Sequence, residues 1–351
     1  MKTRIISASV ILLALFLMGP TTICFSQPPL TAKELLDSPR VKDQLGKLEN
    51  GEIVMLKGSE REQKNELSVI MSLLAKAPLD RTVAILQQQA TAEDGPGILA
   101  IGQIKDATGT GLDSAIAKLS FAGDEMDEVK RMMNITPGGD FNFSKEEISS
   151  IQKRAKAVKD GEKSEAAVKA MSAAMRDVIK GRYLSYRNRG LDALAPYQVD
   201  SSKQVYPSKE MITATESLLL VKERFPEYYA NLRYYPEKAS PKFTNQFFWV
   251  KQTESKRPIF VLKHWVLDVQ PDFALIAERR FYLNHSLNSL QVVIGCFPHG
   301  DRTLVVLLNQ AFTEKVNMAI GRSIAKQVGY MQVEKNIRPI FENLRAAIGN
   351  K

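Results

Sequence analysis

Three histidines, His264, His285 and His299, all follow residue 260. His264 and His285, with Glu278, Arg279 and Asn284 near them in sequence, are the groups from which a polar or metal-binding cluster on neighbouring strands would be built. A metal centre needs converging imidazole and carboxylate ligands with support behind them. No H-E-x-x-H or comparable spacing accompanies these residues, so structural roles are expected for His264 and His285, and His299 falls in a turn. A serine nucleophile lacks its G-x-S-x-G elbow. Cys296 lies in the apolar run Val292-Val293-Ile294-Gly295-Cys296-Phe297, which disfavours a thiolate and suits a small core residue. Gly109-Thr110-Gly111 lacks both the P-loop lysine and the third glycine of a dinucleotide motif. The expectation is no catalytic residue, no metal and no cofactor.

The aromatic residues suggest binding instead. Twelve of them, including both tryptophans, fall within residues 206–265. Aromatic rings with a few hydroxyls make the wall of an apolar ligand cavity, the hydroxyls orienting the ligand. The candidate wall comprises Tyr228, Tyr229, Phe248, Trp249, Phe260 and Trp265, joined by Ile320 and Ile324 from the C-terminal helix. The competing reading is ordinary packing between helices and a sheet.

The elements that would position these residues change along the chain. Residues 32–48 read as one short helix, 52–56 and 66–74 as strands, and Asp80 as the N-cap of a helix to Gln88. A turn cluster at residues 93–97 precedes a strand at 98–104. Ser144 and Glu147 form a capping box ahead of Ile148, Ile151, Ala155 and Val158 at helical spacing, and Asp160-Gly161 breaks the pattern. A second helix carries Val168, Met171, Met175, Val178 and Tyr183. A third follows Pro207-Ser208 and runs to Arg224, with residues 199–209 as the linker candidate. Segments 247–251, 258–269, 273–283, 287–297 and 303–312 read as an antiparallel meander. Alternation puts Phe260, Leu262, His264 and Val266 on one face and Ile259, Val261, Lys263, Trp265 and Leu267 on the other. Apolar residues on both faces predict cover on both sides. A long helix follows, with the stripe Val316, Ile320, Ile324, Val328 and Met331 continued by Ile337, Phe341, Leu344 and Ile348; Pro339 is expected to bend it.

The fold class expected is α+β: an antiparallel meander packed on a long C-terminal helix, with a central helical block. The divisions are 27–120, an N-terminal α/β segment; 121–225, the helical block; and 226–351, sheet plus helix. This order resembles the helix-grip fold of steroidogenic-regulatory-type lipid-transfer domains and polyketide cyclases. That resemblance implies a curved sheet around the terminal helix, a cavity between them, and the helices as an insertion or separate domain. Phe225-Pro226-Glu227-Tyr228, Arg233-Tyr234-Tyr235-Pro236, Gln246-Phe247-Phe248-Trp249, Arg257-Pro258 and Phe281-Tyr282-Leu283-Asn284-His285 also resemble landmarks of an uncharacterised family of exported bacterial proteins. That second resemblance implies export and carries no activity with it.

Export is also readable from the first residues. Lys2 and Arg4 precede an apolar run from Ile5 to Met18, Gly19-Pro20 breaks it, and Cys24-Phe25-Ser26 places small residues for cleavage before Gln27. The run is too short for a spanning helix, and Ile23 is bulky for lipoprotein processing at Cys24. Cleavage at 1–26 lowers the net charge from +9 to +7 by removing Lys2 and Arg4. It leaves Cys296 as the one cysteine, so no internal disulfide forms. The 351-residue chain is 44% hydrophobic and 25% charged, a globular composition. Its basic residues are spread out and match no nucleic-acid module. The expected protein is periplasmic or secreted, has no integral membrane segment after cleavage, and binds or carries a lipid-like molecule. The alternatives are an envelope interaction protein with a solid core and, third, a cyclase-like or hydrolytic enzyme.

Overall fold

The computed structural model describes residues 28–58, 63–92, 97–105, 109–138, 140–158, 164–316 and 322–349. The export segment with its cleavage site, most of the turn cluster at 93–97, the Asp160-Gly161 break and Ile320 lie outside them.

Three short helices, α1 (Ala32–Leu36), α2 (Pro39–Lys42) and α3 (Leu45–Glu49), replace the single helix expected at 32–48. Pro39 has no N–H to continue a helix and instead starts one. The strands β1 (Val54–Lys57) and β2 (Glu66–Ala75) lead into α4 (Leu79–Thr91) and β3 (Ile98–Gln103). Pro78, not Asp80, is the N-cap of α4; Asp80 sits in the first turn, where a carboxylate suits the helix dipole.

The helical block comprises α5 (Gly109–Ile116), α6 (Met126–Met133), α7 (Lys145–Lys156), α8 (Ser164–Arg189), α9 (Pro207–Glu216), α10 (Leu219–Arg224) and α11 (Pro226–Arg233). A small hairpin of β4 (Tyr197–Gln198) and β5 (Gln204–Val205) interrupts it. This hairpin occupies the linker candidate, and Asp200 closes its turn by accepting from the Ser202 and Lys203 N–H groups. The capping box of α7 forms as expected, Ser144 Oγ accepting from Glu147 N–H while the Glu147 carboxylate accepts from Ser144 N–H. Glu147 also receives two hydrogen bonds from Arg182 of α8, so a local cap becomes a helix–helix tie. The expected third helix is two helices, broken at Ser217-Leu218, where Ser217 Oγ donates back to the Ala214 carbonyl.

The meander is β6 (Thr244–Glu254), β7 (Arg257–Val269), β8 (Ala274–Leu283), β9 (Ser289–His299) and β10 (Arg302–Phe312), followed by α12 (Arg322–Ala347). Ser255 and Lys256, both at positive φ, make the two-residue turn between β6 and β7. Eight antiparallel strands form one sheet in the order β1-β2-β10-β9-β8-β7-β6-β3. The long sequence excursion between β3 and β6 is the helical block.

Strand alternation divides the sheet into two covered faces, as expected for β7. One face meets the helical block: Phe247, Trp249, Phe260 and Leu262 pack on Met171, Met175, Tyr183 and Tyr186. Farther along it, Val266, Leu275 and Val293 pack on α1, α3, α10 and α11. The opposite face, called the α12 face, carries Val69, Met71, Leu267, Ile276, Ile294 and Leu307 under α4 and α12. Each fully buried aliphatic side chain contributes about 1.5–3 kcal/mol by transfer. The helix α12 rests on β2 and α4. Gly329 permits the close approach, since a Cβ there would lie 2.7 Å from Leu67 Cδ1.

This contact fixes the rotation of α12 and corrects its expected stripe. The buried residues are Val333, Ile337, Phe341, Leu344 and Ile348, whereas Ile324 (70%), Val328 (59%) and Met331 (64%) are exposed. Val316 is buried but belongs to a short 3-10 turn before the helix. A spacing of four advances about 40° around the helix at every step, so a four-four-four run leaves the inner face.

Candidate functional site

The polar residues expected to cluster are separated by strand alternation. Arg279 and His264 face the helical block as register partners, while Glu278 points to the α12 face. His285 stands apart, its ring nitrogens bonded to the Pro258 carbonyl and Ser286 Oγ.

On the block side, the fully buried Arg279 guanidinium has only neutral acceptors. Nε donates to Gln291 Oε1 (3.0 Å), Nη1 to the Leu232 carbonyl (2.5 Å) and, at 3.5 Å, to Tyr186 Oη, and Nη2 to Thr215 Oγ1 (2.8 Å). Tyr186 Oη lies 2.9 Å from His264 Nδ1, and His264 Nε2 lies 2.9 Å from Asn245 Oδ1. Asn245 Oδ1 can only accept, so Nε2 carries the proton and Nδ1 accepts from Tyr186. Burial holds the His264 imidazole well below its ordinary range, reinforced by the Arg279 and Arg187 charges. The imidazole is therefore neutral and has no exposed edge. The network joins α8, α9 and α11 to the sheet; apart from the buried Gln291 Nε2, which has no partner among the described residues, its groups are met by one another and by neighbouring carbonyls, and it ties helices to sheet.

A second buried cluster joins α9 to one end of the sheet. The Glu210 carboxylate accepts from Asn65 Nδ2, Asn288 Nδ2 and Ser289 Oγ, each at 2.8 Å. Burial pushes its pKa up to about 7, against those hydrogen bonds and with help from nearby Glu314. Elsewhere on this side the sheet is tied to the block by Lys251 with Glu125 and by a two-pronged Arg257–Glu128 pair.

Open space lies beside the α12 face, and a smaller hollow of about 320 Å³ lies beyond the end of α8 against Arg233 and Tyr234. A groove of about 500 Å³ runs between α4 and the ends of β6 and β7. Ala84, Gln87 and Gln88 form one bank, and Gln246, Trp265 and Leu267 form the other. Trp265 is its inner wall, and the indole Nε1 donates to Glu278 Oε2 at 2.8 Å. Behind Trp265 the next row across the sheet is Phe248–Lys263–Arg280–Leu290. Lys263 Nζ reaches Glu278 at 3.5 Å and Arg280 Nε donates to Glu278 Oε1 at 2.7 Å. Burial raises the Glu278 carboxyl, but Lys263, Arg280 and Trp265 outweigh it and hold the group down at about 2. Burial pulls Lys263 below its ordinary range.

The candidate wall residues do not line one space. Phe248 and Trp265 stand on the α12 face, Trp265 in the groove. Trp249 and Phe260 face the helical block, where Trp249 Nε1 donates to the Ala115 carbonyl and its ring lies against Gly102. Tyr228 packs from α11 and donates to the Val266 carbonyl. Tyr229 is buried on α11 beside Lys222. Ile324 is exposed, and Ile320 lies outside the described residues. The aromatic concentration is thus mainly the seam between block and sheet. The charged cluster behind Trp265, outside the groove's lining, had a weaker signal in the sequence, Lys263, Glu278 and Arg280 within otherwise apolar strands.

Cys296 lies on the α12 face, fully buried, and burial alone pushes its thiol up to about 12. An aromatic disulfide reagent is expected to leave it unmodified in the native protein and to titrate one thiol per cleaved chain in guanidinium. Rapid native labelling would contradict this packing.

These features define an α+β protein built on one large antiparallel sheet with a C-terminal helix. Among the described residues no group of His, Cys, Asp and Glu is arranged to hold a metal ion, and no helix is long and apolar enough to cross a membrane. No family model matches the chain, and no curated protein is significantly similar to it.

Proposed function

We propose that this protein is exported, is cleaved before Gln27, and binds or carries an amphipathic, lipid-like molecule on the α12 face of its sheet. The observation that carries this reading is the groove between α4 and β6–β7, whose inner wall, Trp265, donates to the charged Glu278. Its lining sets Trp265, Leu267 and Val269 beside Gln87, Gln88, Lys242 and Gln246, a mixture suited to an amphipathic molecule. A helix-grip arrangement belongs to the same reading. The sheet order, with α4 between β2 and β3 and α12 after β10, both on one face, supports it. The helical block is then an insertion between the second and third strands of that grip.

Native mass spectrometry of protein recovered from the exported fraction is the test. A retained hydrophobic molecule is expected, as is uptake of a solvatochromic fatty acid, weakened about ten-fold or more by Trp265→Ala. Trp249→Phe, on the opposite face, should leave uptake unchanged. A ligand-free mass with no uptake would overturn the reading. It would favour an envelope interaction protein, to which the exposed stripe Ile324, Val328 and Met331 on α12 is the pointer.

A further inference from the structure

We infer that the molecule held in this groove carries an anionic head, a carboxylate or a phosphate, and that Lys263 and Arg280 receive it. The inference rests on the groove being the ligand site, and it concerns the chemistry of the end that lies nearest Trp265.

The first support is unmet hydrogen-bonding capacity. Lys263 is more than nine-tenths buried, yet its three N–H donors meet one acceptor among the described residues, Glu278, at the long distance of 3.5 Å. Arg280 uses only Nε, leaving both terminal nitrogens without an acceptor among those residues. In the row beside them, Gln246–Trp265–Glu278–Val292–Asn309, the buried Asn309 Nδ2 also has no acceptor. It lies about 10 Å from Glu278, two strand spacings away. Glu278, by contrast, is saturated: Oε1 accepts from Arg280, and Oε2 from Trp265 and Lys263. The two buried groups left wanting in these rows, Lys263 Nζ and Asn309 Nδ2, are donors, and the Arg280 side chain beside them is a quarter exposed. A ligand that completes them must bring acceptor oxygens.

The second support is charge. Lys263 and Arg280 share the single carboxylate of Glu278. At the far end of β6, burial raises the Glu254 pKa, which nearby Arg280 and Lys315 only partly offset. Three cations thus face two carboxylates, one of them discouraged from ionising. A buried unpaired ammonium is costly and persists where a counter-charge completes it. An anionic head at Lys263 and Arg280 supplies that charge and can accept from both guanidinium nitrogens at once.

The geometry also orders the ligand. Trp265 stands between the open groove and Lys263, two residues along the same strand, and Phe248 opposes Lys263 on β6. On this inference the head passes Trp265 to reach Lys263, which lies just outside the groove's lining, and the chain lies back against Trp265, Leu267 and α4.

The test compares amphiphiles of one chain length on the full exported protein by calorimetry: a fatty acid, its methyl ester, and a soluble phosphatidic acid. The fatty acid or the phosphatidic acid is expected to bind at least about ten-fold tighter than the ester. Whichever anion is preferred identifies the head as carboxylate or phosphate. Lys263→Met should bring acid and ester within about two-fold of one another, and Lys263→Arg should restore the preference. Lys263→Met still leaves Glu278 paired with Arg280 and Trp265, so it is expected to fold; Arg280→Met is the second variant. If wild type binds acid and ester equally, or Lys263→Met and Arg280→Met both keep the preference, the anionic head is wrong while the groove still stands as a lipid site. If none of the three amphiphiles binds, the groove reading falls and takes this inference with it.

Discussion

Replacing Arg279 by alanine is expected to destabilise the protein by about 4 kcal/mol or more, the largest loss from any single change in the sheet. Four acceptors surround the guanidinium, and three of them, Gln291 Oε1, the Leu232 carbonyl and Thr215 Oγ1, lie within 3.0 Å. They come from β9, α11 and α9, so the side chain joins two helices of the block to the sheet. Without it the Leu232 carbonyl stays buried and unmet, Gln291 Oε1 keeps only the Thr215 hydroxyl at 3.1 Å, each lost donor costing roughly 1–3 kcal/mol, and a cavity remains. Urea unfolding should show a lower midpoint at constant slope. Arg279→Met separates two contributions, because it fills the space but supplies no donor. Most of the loss is expected to persist in it, since the orphaned acceptors remain. An unchanged or higher midpoint in Arg279→Met would mean that desolvating the charge outweighs its hydrogen bonds, as happens for some buried ionic groups. The network would then be a source of specificity rather than stability.

How far the sequence reached depends on the range of the forces involved. The two faces of β7 were legible because alternation is a property of the strand itself, and both proved buried. The Ser144–Glu147 cap was legible because its partners are three residues apart. The first half of α12 was not. Ile324 and Val328 have the right residue types, but the helix's rotation is set by Gly329 against Leu67, 262 residues away in sequence. The candidate wall failed to assemble for a related reason. Phe248 and Trp249, adjacent in a strand, must point to opposite faces, so an aromatic run cannot line one cavity. The charged cluster beside the groove was half legible, since Lys263 and Trp265 were placed on one face by alternation. Its partner Glu278 was grouped with His264 on sequence proximity, and strand pairing put the two on opposite faces.

Between pH 6.5 and 7.5 the protein is expected to lose stability as pH rises, and Glu210→Gln is expected to abolish that loss. The folded Glu210 carboxyl titrates at about 7 against an ordinary 4.5, chiefly because burial disfavours the charged form and no cation pairs with it. A raised carboxyl pKa means the folded state binds more protons than the unfolded one across pH 4.5–7. Its stabilisation is therefore full below 4.5 and lost as pH climbs through 7, on the order of 3 kcal/mol in all. His285 acts the other way. Burial lowers it from 6.5 to about 4, so the unfolded state binds the extra proton and stability rises with pH across 4–6.5. His264, held well below its ordinary range by burial, adds in the same direction. From 4.5 to 6.5 the histidines oppose Glu210 and mask it, but above 6.5 its slope is exposed. Glutamine mimics the protonated acid in shape and in having one donor side, so Glu210→Gln should keep the cluster with Asn65, Asn288 and Ser289. Urea midpoints at half-unit steps from pH 5 to 8 for wild type and Glu210→Gln make the comparison. Parallel curves above pH 6.5 would show that Glu210 ionises at its ordinary pKa. A flattened curve in the variant would establish that one uncompensated carboxylate weakens the tie between α9 and the sheet at neutral pH.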